Sequence, residues 1–314
     1  MPRLLCASLA AFVTTAVAAE ASAIDCSALP NPLYIQSGDT QEPLLKSLGR
    51  QLRDNTANPI TLVYITAGTC TNIEAIYTGI PVTIAMKYVP STAEDPAWTP
   101  SLPALPCDVD PVLGVDVEVA IAATFVDSCN LGPPPANIGL ITGPIQAYLF
   151  AVPEASTQRA ITAEEGYFVF GFGQAGMVDP WSNEMLMFIR TPTKSTLLTT
   201  MAAIDVPVSK AKGVAFDKSS EVVNALLAST DAEHSIGLLG AEIYDRNRDT
   251  INALAFRAFK QRYAYFPDKT ATSLDKQNVR DGHYTIWAPT VYMTDVDGNG
   301  QPTNPNADYF IDLV

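Results

Sequence analysis

The sequence predicts an α/β protein, on three observations. Short apolar runs alternate with segments of helical periodicity, and Ile60 to Ile65 is a continuous apolar run rather than an alternating one. Glycine, proline and hydroxyl residues punctuate the changes of period. Alternating strands and helices favour largely parallel sheets, whose strands are buried on both faces. With 314 residues, 47% hydrophobic and 17% charged, the chain is long and apolar enough for two domains.

The elements follow in order. Leu33-Tyr34-Ile35 reads as a short strand. After it, Leu44, Leu45, Leu48 and Leu52 share one helical face, with Pro43 in the first turn and Asp39 or Thr40 as N-cap. Ile60 to Ile65 is a buried strand, and residues 70–78 form a helix ended by Gly79. Val82 to Val89 and Val117 to Phe125 are strands, with a proline-rich surface excursion at 90–114 between them. Ile145 to Val152 is a strand closed by Pro153, while 162–172 fits helix and strand equally. Met185 to Ile189 is a strand, followed by helices at 193–204 and 218–228 and a short strand at Ile236 to Leu239. The tail carries a strand within 283–293 and a short final helix.

Residues 1–23 read as an export signal. Arg3 precedes an apolar stretch from Leu4 to Val17, and Ala21-Ser22-Ala23 offers small residues for cleavage. No later stretch is long and apolar enough for a membrane span. The mature chain keeps Cys26, Cys70, Cys107 and Cys129, an even set that favours disulfides in an exported protein. Three pairings are open; Cys107–Cys129 with Cys26–Cys70 is preferred because it closes separate local loops. The net charge of −14 argues against non-specific nucleic-acid binding and against docking on anionic lipid. Two histidines exclude a three-histidine metal site.

One pattern recurs: a strand ends, small or hydroxyl residues follow, and a helix begins. It occurs at Ser37-Gly38-Asp39-Thr40, at Ala67-Gly68-Thr69-Cys70-Thr71, and from Thr191 to Thr196. Ligands of open α/β sheets bind outside the carboxyl ends of the strands, and a helix N-terminus suits an anion. Thr40, Thr69, Thr71, Thr193, Ser195 and Thr196 could add hydroxyl donors, Arg190 a forked cationic clamp, and Asp127 an acceptor for an oxyanion's remaining proton. Each junction alone also fits ordinary helix capping.

On these stretches the chain resembles the type II periplasmic solute-binding proteins, most of all their phosphate-binding branch. The likeness rests on Ser37 to Leu52, Val63 to Ile76, Ile189 to Met201, and Asp281 to Val291, where Tyr284-Thr285-Ile286-Trp287-Ala288-Pro289 is similar to the family's tyrosine-proline-leucine segment. The resemblance implies two α/β lobes joined by a two-stranded hinge, with crossings at Val152-Pro153 and Ile236-Gly237. It divides the mature chain into lobe I (24–145 plus 239–314) and lobe II (146–238). It further implies capture of a small oxyanion, phosphate first, without catalysis, and delivery to ABC transporter membrane subunits. The ligand set would be Gly38, Asp39, Thr40, Gly68, Thr69, Cys70, Thr71, Asp127, Arg190, Thr193, Lys194, Ser195 and Thr196. Three departures stand out. Asp39 replaces a serine and would repel a dianion, Lys194 and Ser195 replace serine and glycine, and Thr69-Cys70 stand where glycine and serine are frequent. Lys194 would offset Asp39. A divergent interaction protein that kept the fold and lost transport is the alternative.

Remaining motifs are weaker. Gly171-Phe172-Gly173-Gln174-Ala175-Gly176 lacks the helix start that a dinucleotide site needs and reads as a turn. Asp295, Asp297 and Asn299 copy the start of a calcium loop, but Asn306 stands where the bidentate glutamate belongs. Calcium at 295–300 is the single cofactor candidate. No nucleophile and base are spaced for hydrolysis.

Overall fold

The computed structural model describes residues 24–314, so the segment read as an export signal lies outside the described residues. In chain order the first half holds β1 (Ile24–Asp25), β2 (Pro32–Ser37), α1 (Glu42–Arg53), β3 (Thr61–Thr66), α2 (Thr69–Thr78), β4 (Met86–Tyr88), β5 (Leu105–Asp108), β6 (Val119–Ala122) and β7 (Ile138–Pro153). The second half holds β8 (Ala160–Thr162), α3 (Ala163–Phe172), β9 (Met187–Arg190), α4 (Ser195–Ala203), β10 (Val214–Phe216), α5 (Ser219–Ala228), β11 (Ile236–Gly240), α6 (Ala241–Asp245), β12 (Ile251–Ala253), β13 (Ala255–Arg257) and α7 (Gln277–Arg280). β14 (Trp287–Asp295) and α8 (Pro305–Asp312) end the chain.

Twelve strands form one continuous sheet in the order β1-β5-β4-β3-β2-β6-β14-β7-β11-β9-β10, with β12 also on β7. The interior of each half is parallel: β3–β2–β6 in one, β10–β9–β11 in the other. β7 joins them. Its residues Ile138–Ala147 pair antiparallel with β14, whereas Tyr148–Ala151 pair with β11. This is the two-lobed α/β arrangement with a pair of strands running between the lobes.

Separate cores back this division. Leu33, Ile35, Leu45, Leu48, Leu52, Ile60, Leu62 and Tyr64 pack together in the first lobe, which explains the helical face of α1 and the unbroken apolar run of β3. The larger core of the second lobe gathers residues from Ala147 to Leu239 and also Ala241, Tyr244, Ile251, Phe256, Tyr284 and Ala288. Val152 and Pro153 pair with β12, and Gly237 pairs with β7 and β9. We propose that the chain leaves the first lobe near residue 145 and returns near 287 rather than 239. Tyr284 is fully buried in this core and its hydroxyl donates to the Tyr148 carbonyl at 2.6 Å.

Several expectations shift. The ambiguous segment 162–172 is helix α3, set by a capping box between Thr162 and Glu165. Of residues 82–89, Met86–Tyr88 form the strand, and Val82 makes a single bridge to Val115. The excursion at 90–114 contributes β5 and the buried Trp98, over which Arg50 lies at 5.3 Å while donating to the carbonyls of Pro90, Asp95 and Trp98. Gly79 ends α2 with φ of 62°, a conformation that disfavours a side chain.

The preferred disulfide pairing is overturned. The bonds are Cys26–Cys107 and Cys70–Cys129. β1 pairs parallel with β5, bringing Ile24 opposite Cys107 and Cys26 within bonding reach. The start of α2 lies against the turn Val126–Cys129 that follows β6, which sets Cys70 beside Cys129. Strand pairing, not loop length, decides the partners.

Candidate functional site

The strand-to-helix junctions meet at the seam between the lobes. β9 ends on Arg190, which is fully buried. Its Nη2 donates to Asp39 Oδ1 at 3.1 Å and Oδ2 at 3.2 Å, and to the Asp217 carbonyl at 2.7 Å. Nη1 donates to Ser219 Oγ, and Nε to the Phe216 carbonyl at 3.3 Å. Asp39 reaches across from the other lobe. Its Oδ2 also accepts the backbone N–H of Ser219 at 2.9 Å. Ser219 is the first residue of α5, so a carboxylate sits on a helix N-terminus and on a guanidinium together. These are donors of the kind that suit an oxyanion, and here they hold a side chain of the protein itself.

Asp39 therefore does not cap α1. It opens a 3-10 turn, Asp39–Gln41, and α1 starts with no side-chain cap. Burial pushes the Asp39 carboxyl up, but the Arg190 charge and the Ser219 and Arg190 hydrogen bonds outweigh it, so its pKa lies below the ordinary 3.8. A depressed folded pKa stabilises fully above the ordinary value. That contribution is lost as pH falls through the folded one.

The second junction closes on the third. The Cys70 N–H at the start of α2 donates to the Thr193 carbonyl at 3.2 Å. A Cβ on Gly68 would collide with the Thr193 side chain, so glycine is what permits this approach. Thr40, Thr69, Ser195 and Thr196 are buried near the seam, whereas Thr71 is exposed. Thr199 on α4 meets Thr124 hydroxyl to hydroxyl at 3.3 Å, a further contact between lobes.

Two candidates point elsewhere. Lys194 pairs with Asp217 at 3.1 Å, not with Asp39, because Arg190 already holds that carboxylate. Asp127 is exposed on the turn after β6, on the side of Tyr77. The α5 junction was missed by sequence reasoning, although Asp217-Lys218-Ser219 repeats the polar strand-to-helix pattern; the three-residue β10 before it is too short to register.

A cavity of about 460 Å³ opens on the seat. Asp39, Lys46, Lys87, Lys218, Ser219 and Arg246 line it, with Pro100 and Ser101 from the excursion at its edge. Glu42, also in the lining, is shared by Lys87 at 3.4 Å and Lys46 at 4.0 Å. Basic groups outnumber acidic ones here, on a chain of net charge −14. Such local excess draws anions toward the seam.

A second partly buried carboxyl lies nearby. Glu242, at the start of α6, is pushed up to about 7, mainly by burial, with its own N–H and Gln146 opposing and Asp39 adding repulsion. A raised acid stabilises only in its neutral form, so its contribution is lost as pH rises from the ordinary 4.5 toward 7. Glu242→Gln is expected to flatten the fall in stability between about pH 4.5 and 7, as read by urea unfolding. An unchanged slope would remove Glu242 as its cause.

In the 295–300 loop, Asp295 Oδ1 accepts from Asn137 Nδ2 at 2.6 Å, and Asp297 Oδ1 accepts the N–H groups of Asn299 and Gln301 at 2.8 and 3.0 Å. The Asp297 carboxylate serves the loop's own turn, and that of Asp295 holds Asn137, just ahead of β7. Among the described residues, no three His, Cys, Asp or Glu side chains converge on one point. No described helix is long and apolar enough to cross a membrane.

No family model and no curated protein matches the chain. Solved structures do. A candidate phosphate ABC transporter substrate-binding protein with bound phosphate from Clostridium perfringens superposes with a TM-score of 0.60 at 10% identity, covering 90% of this chain and 92% of that one. An ABC-type phosphate transport receptor from Vibrio cholerae gives 0.55 at 10% identity over the same shares. At this identity the likeness speaks to fold. The chain has the two-lobed type II periplasmic-binding-protein fold, as the phosphate-binding proteins do.

Proposed function

We propose that the chain is an exported binding protein that takes a small oxyanion, phosphate first, at the seam between its lobes. The observation that carries this is the buried Arg190 facing the first N–H of α5, with a carboxylate already seated on both. Groups that hold a carboxylate in this way suit phosphate or sulfate as well. The basic cavity over the seat supplies a route in. The signal-like N-terminus and the two disulfides support an oxidising compartment outside the cytoplasm. The fold shared with transport receptors makes ABC transporter membrane subunits the natural partner, and binding without catalysis the natural role.

Asp39 sets the terms of binding. A solute must displace its carboxylate from Arg190, so wild-type affinity for phosphate is weak. The same contact favours a second reading, in which the lobes are latched shut and the protein serves as a scaffold. Calorimetry on the mature chain with phosphate and sulfate separates the two. The binding reading expects heat that diminishes with added salt. Heat with neither anion favours the scaffold.

A further inference from the structure

The Asp39 carboxylate acts as a tethered anion between the lobes. It leaves the first lobe just ahead of α1, whereas both of its donors, Arg190 and the Ser219 N–H, belong to the second. Asp39 and Ser219 line the cavity of about 460 Å³, while Arg190 is fully buried and does not reach its wall. The Asp39 side chain keeps 19% of its surface open. A solute anion therefore reaches the guanidinium only after this carboxylate has left it. We propose that anion capture here is proton-coupled: the solute displaces Asp39 from Arg190, and the displaced carboxylate takes a proton from solvent, so that acid tightens capture. This rests on reading the Arg190 seat as the binding site.

The sign follows from the partners that Asp39 gives up. Burial raises its carboxyl, but the Arg190 charge and the Ser219 hydrogen bonds hold it below the ordinary 3.8. Once displaced, it loses those partners and stands beside a second anion, which returns it to the ordinary range or above. As the pH falls toward that range, the bound state holds more protons than the free one, and linkage then requires tighter binding. Other groups face Asp39 as well. Glu42 and Lys46 of α1, Lys87 of β4, Lys218 before α5 and Arg246 after α6 share its cavity. The Asp217 carboxylate is paired with Lys194 at 3.1 Å, and the Tyr148 hydroxyl of β7, raised by burial, stays neutral. The lysines and arginines keep their charge in acid. Glu242 of α6, pushed up to about 7, has mostly taken its proton by about pH 6, so the window from about pH 6 to pH 4 separates Asp39 from it.

Calorimetry with sulfate, which stays doubly ionised across this window, is the test on the mature chain. The wild-type dissociation constant is expected to be about threefold lower at pH 4 than at pH 6, with heats that differ between buffers of unlike ionisation enthalpy because a proton is taken up. Asp39→Asn removes the charge and the titration together. It is expected to bind sulfate about tenfold more tightly than wild type at pH 6 and to lose the pH dependence. The wild-type comparison needs no variant, so it decides the matter even where Asp39→Asn folds poorly. Sulfate bound with one affinity from pH 6 to pH 4 would overturn the proposal and leave the Arg190 seat as the binding site. An equal pH shift in wild type and variant would overturn it too, by placing the proton on another group such as Glu42. Binding by neither protein at either pH would overturn the seat, and the proposal with it.

Discussion

Arg190→Met is expected to destabilise the protein by about 3–5 kcal/mol at pH 7, the cost of breaking a buried ion pair from one side. The guanidinium satisfies Asp39, Ser219 and two carbonyls, while Asp39 draws on Arg190 and the Ser219 N–H. Methionine fills the volume and leaves Asp39 charged in the seam with one donor. The loss should shrink in acid, because Asp39 then takes up a proton and no longer needs a partner. Changing both residues to apolar ones should recover most of the stability, since a well-packed apolar pair can match a buried ion pair. Urea unfolding at pH 7 and pH 4 tests this. A cost under about 1 kcal/mol at pH 7 would mean the pair contributes no more than a surface contact.

Opening either disulfide is expected to cost about 4 kcal/mol, on the loop-entropy account. Cys26–Cys107 spans 81 residues of sequence and Cys70–Cys129 spans 59. Because loop entropy grows slowly with length, the two effects should be similar. They should differ in kind. Loss of Cys26–Cys107 frees the edge pair β1–β5 and the base of the proline-rich excursion. Loss of Cys70–Cys129 loosens the start of α2, whose N–H meets Thr193, and so should also weaken anion binding. Paired Cys→Ser variants, unfolded in urea, give both costs. Midpoints equal to wild type would show that the crosslinks do not constrain the unfolded chain.

The parts of this molecule legible in the sequence are those with local causes. The leucines of α1, the run of β3 and Gly79 each carry their own periodicity or backbone preference, and their elements stand where expected. Pairing is not local. Cys26 meets Cys107 because β1 lies beside β5, and no spacing rule contains that. Likewise Arg190 and Asp39 were both recognisable as seam residues, yet Lys194 looked like the partner of Asp39 until the fold turned it to Asp217. Short elements hide as well: β10 and α6 are three and five residues long, and with them Ser219 and Glu242. The proposed return of the chain near Trp287 has no local signal, because residues 241–286 add short strands and helices whose apolar residues join the larger core.

Thermal unfolding of Asp39→Ala, with and without phosphate, tests most directly whether Asp39 holds the place of a solute. The substitution empties the seat and strands Arg190, so the variant alone should melt below wild type. Saturating phosphate at about 100 times its dissociation constant should return roughly 2.7 kcal/mol, or several degrees, while wild type moves much less. A variant whose melting temperature ignores phosphate and sulfate alike would contradict the account and leave the Asp39–Arg190 contact as a structural latch.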